Sequence, residues 1–300
     1  MDYIKNDVCH VCPRFCKCNR EDSFGFCGYG KEAVISRVAP HFWEEPCISG
    51  EKGSGTIFFC GCNLGCVYCQ NYQISRNNSN QVFKKSCSAI QLADIFLELQ
   101  NKGVHNINLV TASHFTPVVI EALIIAKPNL TIPVIWNSSG YENAEMIKSL
   151  DGLVDVYLPD FKYFSPELSK KYSFAPDYFE KASISIKEML KQCPDNVFQD
   201  SLIQKGVIIR HLVLPGNTGD SKKIFKFIKE NFGDNIYISL MCQYIPEGDA
   251  EKFSEINRRL LRKEYKWVKD YIIKLGFQNG YIQQFSAADN TYVPDFKEVF

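Results

Sequence analysis

The 300-residue sequence lacks any long apolar segment. A helix needs about 20 consecutive apolar residues to cross a bilayer, and no stretch of this chain approaches that length. The N-terminal stretch MDYIKNDVCHVCPRF also lacks the apolar region of a secretory signal. From these two absences we expect a cytoplasmic protein that does not associate with membranes.

The sequence also lacks an excess of charge of either sign. Its 34 lysines and arginines are balanced by 34 aspartates and glutamates, so the formal net charge is zero. Nucleic acids and anionic membranes are bound mainly through clustered positive charge, which this balance does not supply. We therefore expect no nucleic-acid partner and no membrane partner.

Cysteine is scarce over most of the chain and abundant only near its beginning. Of the 13 cysteines, 11 lie within the first 87 residues, and the following 213 residues contain only Cys193 and Cys242. In a reducing compartment such clustering indicates metal binding or redox chemistry, whereas a disulfide scaffold would be shorter and would carry a secretory signal. The chemistry of this protein is therefore expected among the early cysteines.

Short apolar segments alternate with amphipathic ones from about residue 55 onward. Apolar strands that alternate with helices indicate a parallel sheet with right-handed crossovers. Six β/α units are fewer than the eight of a closed barrel, so this pattern alone leaves a partial barrel or an open wound sheet. The predicted strands cover residues 55–60, 106–111, 132–137, 154–159, 207–214 and 235–241.

Two helical segments are of particular interest. Ser88 followed by Gln91 is a capping-box pattern, and it predicts a helix that begins at residue 89 and ends near Gly103. After the sixth strand, the amphipathic stretch of residues 250–275 is also predicted to be helical.

Polar side chains follow several of the predicted strands. Ligands of parallel α/β folds collect at the carboxyl ends of the strands. We therefore expect these side chains to converge on the loop that follows the first strand. They are His114, Asn137, Ser138, Asp160 and Lys162.

The loop after the first predicted strand reads CNLGCVYC and places Cys62, Cys66 and Cys69 within eight residues. A structural zinc site uses four protein ligands, and each iron of a [4Fe–4S] cluster also needs a ligand. Three thiolates would leave one iron of such a cluster open to a small molecule. Cys60 would supply a fourth thiolate if its side chain faced the same way as that of Cys62, so a four-cysteine site is the alternative.

A second group of cysteines precedes the first of these strands, in the stretch CHVCPRFCKCNREDSFGFC. Cys9, Cys12, Cys16 and Cys27 are enough for a separate four-thiolate site, with Cys18 as a spare. Zinc and a second iron–sulfur cluster both fit this set, and free thiols are the alternative. The remaining cysteines are interpreted as ordinary small buried residues. They are Cys47, Cys87, Cys193 and Cys242.

The three-cysteine loop directly after a first strand resembles the radical S-adenosylmethionine (SAM) superfamily. Within it, the chain resembles the pyruvate formate-lyase-activating enzyme family from about residue 9 to residue 296. The segments that carry this resemblance are CPRFCKCNR, HFWEEPCISGEKGSGTIFFCGCNLGCVYCQNYQIS, WNSSGYE, VDVYLPDFKY and RHLVLPGNTGD.

The resemblance implies an α/β fold that is a partial (β/α)6 barrel with a cysteine-rich N-terminal extension and a C-terminal helical extension. It divides the chain into three parts. These are a cysteine-rich metal-binding extension (1–50), the partial barrel (51–245), and a C-terminal helix and capping segment (246–300).

The resemblance also implies a reaction. In this superfamily three cysteines, here Cys62, Cys66 and Cys69, hold a [4Fe–4S] cluster, and the amino and carboxylate groups of SAM chelate the fourth iron. The reduced cluster passes one electron to the sulfonium, and the resulting 5′-deoxyadenosyl radical takes a hydrogen atom from the substrate. For an activating enzyme the substrate is a glycine of a glycyl radical enzyme, and the electron comes from a donor such as flavodoxin or ferredoxin.

Two other functions fit the same sequence. A radical SAM enzyme of another kind would act on a small molecule or on a different protein, and the extra N-terminal cysteines leave this open because a minimal activating enzyme needs only one cluster. An iron–sulfur or zinc-binding electron-transfer protein would explain the cysteines but would leave the polar side chains at the strand ends unused.

The resemblance points to residues that would contact SAM, and no residue is assigned as the catalytic group. Many activating enzymes bind the SAM amine with a GGE-type turn after the second strand, whereas this sequence reads TASH at residues 111–114. Asp160 would bond the ribose hydroxyls or a bound cation, and Lys162 the SAM carboxylate. Arg210 and His211 alternate along the fifth strand, and Arg210 is expected to face the interior. The predicted SAM contacts are Ser113, His114, Ser138, Asp160, Lys162 and Arg210.

Overall fold

The computed structural model of the protein describes residues 4–5, 8–76, 82–285 and 296. In this part of the chain the strands are β1 (Ile4–Lys5), β2 (Val8–Cys9), β3 (Ala33–His41), β4 (Ser54–Phe59), β5 (Lys85–Cys87), β6 (Ile107–Val110), β7 (Val134–Ser138), β8 (Val156–Pro159), β9 (Val197–Gln199), β10 (Leu202–Leu212), β11 (Tyr237–Met241) and β12 (Gly280–Ile282). The helices are α1 (Pro46–Ser49), α2 (Tyr72–Ser75), α3 (Ala89–Asn101), α4 (Thr116–Ala126), α5 (Ala144–Lys148), α6 (Pro166–Ser173), α7 (Tyr178–Gln192), α8 (Thr218–Phe232) and α9 (Arg262–Lys274). Two short 3₁₀ turns lie at Ser113–Phe115 and Ala250–Lys252.

Most of the described strands belong to one sheet with the order β12-β11-β10-β8-β7-β6-β4-β3-β5, and β9 pairs with β10 outside this path. From β12 to β4 each strand is parallel to its neighbours, whereas β3 is antiparallel to both β4 and β5. The six predicted strands correspond to β4, β6, β7, β8, β10 and β11, which confirms the predicted β/α alternation. β12 and β5 end the described sheet without pairing to each other, so the α/β fold is an open, partial barrel.

The central parallel strands are buried along their whole length. This holds for β4, β6, β7 and β8, and it is expected for strands with helices on one face and interior side chains on the other. Two strands from outside residues 51–245 join the same sheet, since β3 lies in the predicted N-terminal extension and β12 in the predicted C-terminal segment.

Helix α3 has the predicted boundaries. The Ser88 hydroxyl accepts a hydrogen bond from the Gln91 backbone N–H (3.3 Å), and the Gln91 side-chain oxygen accepts one from the Ser88 backbone N–H (3.0 Å). The helix ends at Asn101, two residues before Gly103, whose φ of 82° is in the left-handed region. Across the described ranges, we find no helix with both the length and the apolar character needed to cross a membrane.

The C-terminal helix differs from its prediction. The stretch of residues 250–275 is not one helix, because only a 3₁₀ turn forms at its start and α9 begins at Arg262. The Glu264 carboxylate accepts hydrogen bonds from the backbone N–H groups of Leu261 (2.9 Å) and Gly216 (2.7 Å). The start of α9 is therefore fixed partly by a contact with the loop after β10, which the local sequence does not reveal.

Strand β12 is an addition to the prediction. It has only three residues, and two of them are exposed, so the sequence contains no apolar run that would predict a strand here. Gly280 runs so close to β11 that a Cβ atom there would collide with the Ile238 carbonyl oxygen. This pairing therefore depends on glycine and on the presence of β11.

Candidate active site

The carboxyl ends of the parallel strands surround a cavity of about 230 Å³, here called the cysteine cavity. One wall is the loop after β4, which carries Cys62, Cys66 and Cys69. The opposite walls come from the ends of β6, β7, β8 and β10. Of the residues singled out from the sequence, these walls bring together Asn137, Ser138, Asp160, Lys162 and Arg210.

The three thiols are held by hydrogen bonds and by burial. Cys62 Sγ accepts a hydrogen bond from the Leu64 backbone N–H (3.3 Å), and Cys66 Sγ accepts one from the Ser173 hydroxyl (3.0 Å). Burial, and then the neighbouring thiols, raise the pKa of Cys62 to about 12 and the pKa of Cys69 to about 11. Three thiolates side by side in this partly buried loop would repel one another, and a bound positive charge would offset that repulsion. An iron–sulfur cluster would supply that charge, and the residues present fit it.

The spacing of the ligands argues against a single metal ion. Within residues 8–76, 82–285 and 296, no three histidine, cysteine, aspartate or glutamate side chains are grouped closely enough to hold one ion. All thiolates of a zinc site lie about 2.3 Å from the same ion, whereas those of a cluster bind different irons and lie farther apart. Among the described residues this favours a cluster over a single zinc ion, both at the cysteine cavity and at the N-terminal cysteines.

Cys60 does not join the other three thiols. Its side chain is fully buried and is not part of the cavity lining. Burial raises the pKa of the Cys60 thiol to about 11, and the Tyr29 hydroxyl beside it partly offsets this rise. The four-cysteine alternative gains no support from this position.

A polar network centred on Asp160 and Arg210 faces the cysteine loop. Asp160 Oδ2 accepts a hydrogen bond from Lys162 Nζ (2.6 Å), and Asp160 Oδ1 accepts one from Arg210 Nε (3.1 Å). Burial alone would raise the pKa of Asp160, but Lys162 and Arg210 outweigh it, and the pKa is held below its usual value. Asp160 is therefore a charged carboxylate, and both cations are oriented towards it.

Sequence reasoning missed Glu44, which is part of the same network. Glu44 Oε2 accepts a hydrogen bond from Arg210 Nη1 (3.1 Å), and Glu44 Oε1 accepts bonds from the side-chain amides of Asn137 (3.1 Å) and Asn108 (3.2 Å). Glu44 lies between β3 and α1, so the search for polar residues after parallel strands does not reach it. A signal in the sequence is the acidic pair of Glu44 and Glu45 within HFWEEPC.

Ser113 and His114 lie outside the lining of the cavity. Both are buried in the 3₁₀ turn after β6. Ser113 donates a hydrogen bond to Glu142 Oε1 (2.5 Å), and His114 Nε2 bonds the Cys60 carbonyl (2.7 Å). The geometry thus gives no support for their predicted contacts with SAM, which stay predictions.

Thr111, the first residue of the TASH segment after β6, lines the cavity. Its φ is 62°, a left-handed conformation that is unfavourable for a β-branched residue. Such strained residues concentrate at functional sites, where the surrounding structure holds them in place. Thr111 is a second residue that sequence reasoning missed, because nothing in TASH signals a positive φ.

Arg210 and His211 face opposite sides of β10. Arg210 enters the cavity, whereas His211 bonds the Phe161 carbonyl (2.7 Å) and the Ser221 hydroxyl (2.9 Å) on the helix side. His211 is therefore satisfied within the protein.

The N-terminal cysteines form a group of their own. Burial raises the pKa of Cys12, and the nearby Cys27, Cys9 and Cys16 raise it further. Cys18 is affected in the same way by Cys9, Cys16 and Cys27. All five thiols are therefore neighbours, and the geometry does not single out Cys18 as the spare.

Arg14 connects this N-terminal group to the cysteine cavity. Its Nε donates to the carbonyl of Asn63, inside the cysteine loop (2.7 Å), and its Nη2 donates to the carbonyl of Ser173 at the end of α6 (3.1 Å). Because Ser173 also bonds Cys66, the N-terminal segment is fastened to the elements that position the thiols.

Comparison with known proteins places this geometry in context. The family model described as the Radical SAM superfamily matches residues 56–228. The uncharacterized protein MJ0674 of Methanocaldococcus jannaschii is 36% identical over 262 residues, which covers 85% of this chain and 71% of that protein. The uncharacterized protein MJ0808 of the same organism is 24% identical over 169 residues, which covers 51% of this chain and 49% of that protein.

Several solved structures share the fold. SuiB of Streptococcus suis, bound to the precursor peptide SuiA, matches with a TM-score of 0.50 and 15% identity over 76% of this chain and 48% of SuiB. HydG, a maturase of the [FeFe]-hydrogenase, matches with a TM-score of 0.51 and 15% identity over 74% of this chain and 49% of HydG. A mutant of spore photoproduct lyase matches with a TM-score of 0.52 and 10% identity over 75% of this chain and 74% of the lyase. This chain spans about half the length of SuiB and HydG, and these likenesses show the fold alone.

Proposed function

The chain belongs to the radical SAM superfamily, and from this we propose that it cleaves SAM reductively and directs the resulting radical at a glycine of another protein. Members of the superfamily use a [4Fe–4S] cluster together with SAM. The observation that carries the proposal is one cavity with three cysteines on one wall and the Asp160 network on the other. Cys62, Cys66 and Cys69 would hold the cluster, which when bound with SAM supplies one-electron cleavage and a reactive carbon radical.

The residues of the polar wall would bind and orient SAM. Asp160 would accept hydrogen bonds from the ribose hydroxyls, and Lys162, which lines the cavity and bonds Asp160, would pair with the SAM carboxylate. Ser138 contributes a hydroxyl at the end of β7. Arg210 holds Asp160 in place through its Nε, so it positions the site as well as lining it.

The apolar part of the lining would keep water and quenching groups away from a radical. The hydroxyl of Tyr68, which sits in this wall, bonds the Tyr163 hydroxyl (2.6 Å), and Tyr163 bonds Ser173 (2.7 Å). The ring of Tyr68 can therefore line the cavity without leaving a buried hydroxyl unpaired. The apolar and aromatic lining residues are Trp43, Phe58, Leu64, Tyr68, Val110, Leu212 and Met241.

Cluster binding is tested with protein reconstituted anaerobically. SAM should change the EPR signal of the reduced cluster, and Cys62→Ala should abolish the formation of 5′-deoxyadenosine. Cys60→Ala is the matched control, because Cys60 is buried in the same segment but lies outside the cavity. Cleavage retained in Cys62→Ala would overturn the cluster assignment, and cleavage lost in Cys60→Ala would favour the four-cysteine site.

A protein glycine is the proposed target of the radical. The described sheet is open rather than closed, so a flexible segment of another protein can approach the strand ends from the side. SuiB, which has the same fold, was solved with a bound precursor peptide, and this supports a peptide segment as the substrate. A donor such as flavodoxin or ferredoxin would supply the electron.

The glycine target is tested by mixing the enzyme with glycyl radical enzymes encoded in the same source, under dithionite and SAM. A stable glycyl doublet in the EPR spectrum is expected, and the Cys62→Ala variant should give none. If 5′-deoxyadenosine accumulates while no candidate gives the doublet, the activating role fails and a radical SAM reaction on another substrate remains.

The N-terminal cysteines are proposed to hold a second metal centre, through Cys9, Cys12, Cys16 and Cys27. Their mutual proximity supports it, and Arg14 would couple the centre mechanically to the cysteine loop. With Cys62, Cys66 and Cys69 all changed to alanine, the protein should still contain metal, and elemental analysis separates zinc from iron and sulfide. If this triple variant, purified anaerobically, contains neither zinc nor iron, there is no second metal centre.

A further inference from the structure

A second cavity, of about 270 Å³, adjoins the cysteine cavity. We call it the Glu45 cavity after the carboxylate in its wall. It lies beyond the Asp160 network, towards β11 and β12, and the exposed Trp43 stands at its edge. The residues that line both cavities are Trp43, Glu44, Arg210, Met241 and Gln243.

Glu45 is the unusual group in this second cavity. Only 8% of the residue is exposed, and its Oε2 atom has no hydrogen-bond partner among the described residues. Burial raises the pKa of the Glu45 carboxyl, and Arg210 and the Ser239 hydroxyl only partly counter this. A buried carboxylate oxygen without a partner is costly, and a carboxyl perturbed in this way in the wall of a cavity is a candidate binding group.

The cations near Glu45 already form ion pairs with other carboxylates. Arg210 donates to Glu44 and Asp160 with distances of 3.1 Å, and Lys162 pairs with Asp160 at 2.6 Å. Three carboxylates therefore share two cations in this region, and Glu45 is the one of the three with no ion pair to another described residue. Taken together, these five charged groups of the two cavities have one negative charge in excess when all three carboxylates are ionised.

The surroundings of Glu45 are suited to an organic cation rather than to a metal ion. No three potential metal ligands are grouped closely enough for one ion in the part of the chain that the structure describes. Trp43 and Tyr281 instead offer aromatic surfaces, against which ammonium and guanidinium groups pack favourably. The amide of Gln283 is fixed by bonds to Gln243 (2.8 Å) and to the Cys242 backbone (2.8 Å), which gives the cavity a rigid polar floor.

We propose that the Glu45 cavity binds a cationic nitrogen group of the substrate, an ammonium or a guanidinium, and so positions the neighbouring part of the substrate at the cysteine cavity. This rests on the proposed function, since it assigns the second cavity to the substrate of the same radical reaction. Glu45 supplies the charge, and Trp43 and Tyr281 supply the flanking surfaces. The cation can belong to a small amine or to a lysine or arginine side chain of a peptide segment.

The test compares probes that differ only in this charge. Isothermal titration calorimetry of the reconstituted protein with SAM uses N-acetyl-arginine amide against its neutral counterpart N-acetyl-citrulline amide. A second pair consists of glycine-rich peptides that contain one arginine or one citrulline. The cationic probe of at least one pair should bind about tenfold more tightly than its neutral counterpart. Preference within the peptide pair alone would identify a protein substrate, and preference within both pairs would admit a small amine.

Variants assign the preference to Glu45. Glu45→Gln keeps the size of the side chain and should remove the preference for the cationic probe, while its thermal unfolding shows that it is folded. Glu51→Gln, an exposed carboxylate a few residues along the chain, should retain the preference. Equal binding of charged and neutral probes by the unaltered protein, or an unchanged preference in Glu45→Gln, would overturn the proposal.

The same samples separate this proposal from the proposed function. If the arginine preference is present but SAM is not cleaved, the radical reaction fails and the cation site stands. If SAM is cleaved and no preference is found, the cation site fails and the radical reaction stands.

Discussion

Asp160 is the carboxylate on which two partly buried cations of the cysteine cavity converge. Lys162 Nζ and Arg210 Nε both donate to it, at 2.6 and 3.1 Å. Asp160→Asn keeps the shape of the side chain but removes the charge that offsets both cations. We expect SAM binding to weaken by about tenfold or more, because a charged hydrogen-bond acceptor for the ribose is lost. Equilibrium dialysis of the reconstituted protein against SAM measures the change.

An exposed ion pair provides the control for Asp160. Glu145 pairs with Lys148 at 2.8 Å, and 71% of the Glu145 side chain is exposed. Such pairs contribute little to stability, so Glu145→Gln should leave the affinity for SAM unchanged. An Asp160→Asn variant that binds SAM as tightly as Glu145→Gln would show that the carboxylate does not contact the cofactor.

Two buried histidines should make the stability of the protein depend on pH. Burial lowers the pKa of His114 to about 3 and the pKa of His211 to about 4. Both are therefore neutral in the folded protein at pH values where the unfolded chain, with a histidine pKa of about 6.5, takes up protons. The contribution of the two histidines to the free energy of unfolding then falls as the pH decreases from about 6.5 towards about 4, whereas the buried Glu142, whose pKa burial raises to about 7, contributes in the opposite direction.

The expected size of this effect is about 1.4 kcal/mol for each histidine between about pH 7.5 and about pH 5.5. Urea unfolding of the unaltered protein and of His211→Gln at both pH values measures the contribution of His211. His211→Gln should reduce the loss of unfolding free energy between these two pH values by about 1.4 kcal/mol, the contribution of one histidine. If the variant loses as much stability on acidification as the unaltered protein, another group is responsible.

At the scale of elements, the parts of the fold that could be predicted are those with local signals. Helix α3 is predicted because its capping box and its terminal glycine act within a few residues. The beginning of α9 could not be predicted in this way, because the Glu264 carboxylate that fixes it also accepts a hydrogen bond from the distant Gly216. β12 is short, partly exposed and dependent on β11, so it carries no signal of its own.

The candidate site was predictable to the extent that it follows the strand ends. Asp160 and Lys162 come directly after β8, and the structure places both in the cysteine cavity. The same reasoning suggested His114, and the family resemblance added Ser113, but the left-handed turn at Thr111 leads the chain into a buried 3₁₀ turn. Glu44 enters from outside the parallel strands, which sequence periodicity does not reveal.

The N-terminal segment and the cysteine loop are predicted to act as one unit through Arg14. Its guanidinium donates to the carbonyls of Asn63 (2.7 Å), Ser173 (3.1 Å) and Phe174 (2.5 Å). The shorter glutamine side chain of Arg14→Gln cannot donate to all three carbonyls, so we expect the free energy of unfolding to fall by about 2 kcal/mol. We also expect faster release of iron to a chelator, measured by absorbance of the chelate.

The exposed Lys17, in the same segment, is the control for Arg14. Lys17→Gln should change neither the stability nor the rate of iron release, because exposed charges without buried partners contribute little. Iron release from Arg14→Gln at the rate of Lys17→Gln would mean that the N-terminal segment does not stabilise the cysteine loop.

At the scale of the whole molecule, recognition of a partner is expected to depend on a few buried charges and not on a long-range field. The 34 basic and 34 acidic residues leave no net charge to attract a partner from a distance. Many ion pairs on the surface are exposed, as between Lys266 and Asp270 or Lys252 and Asp249. The carboxylates of Glu44 and Glu45, by contrast, are inside and are screened little by salt.

This contrast predicts how association with a protein substrate responds to salt. Steering by surface charge makes association rates fall steeply with ionic strength, whereas a neutral surface leaves them nearly constant. We expect the association rate of the enzyme with a glycyl radical enzyme to change by less than about threefold between about 0.05 and about 0.5 M salt. Surface plasmon resonance under anaerobic conditions measures this rate, and Glu45→Gln should alter the dissociation rate instead, because truncating a buried charged contact acts mainly on dissociation. A fall of tenfold or more in the association rate over this range would mean that a local patch of surface charge governs the encounter.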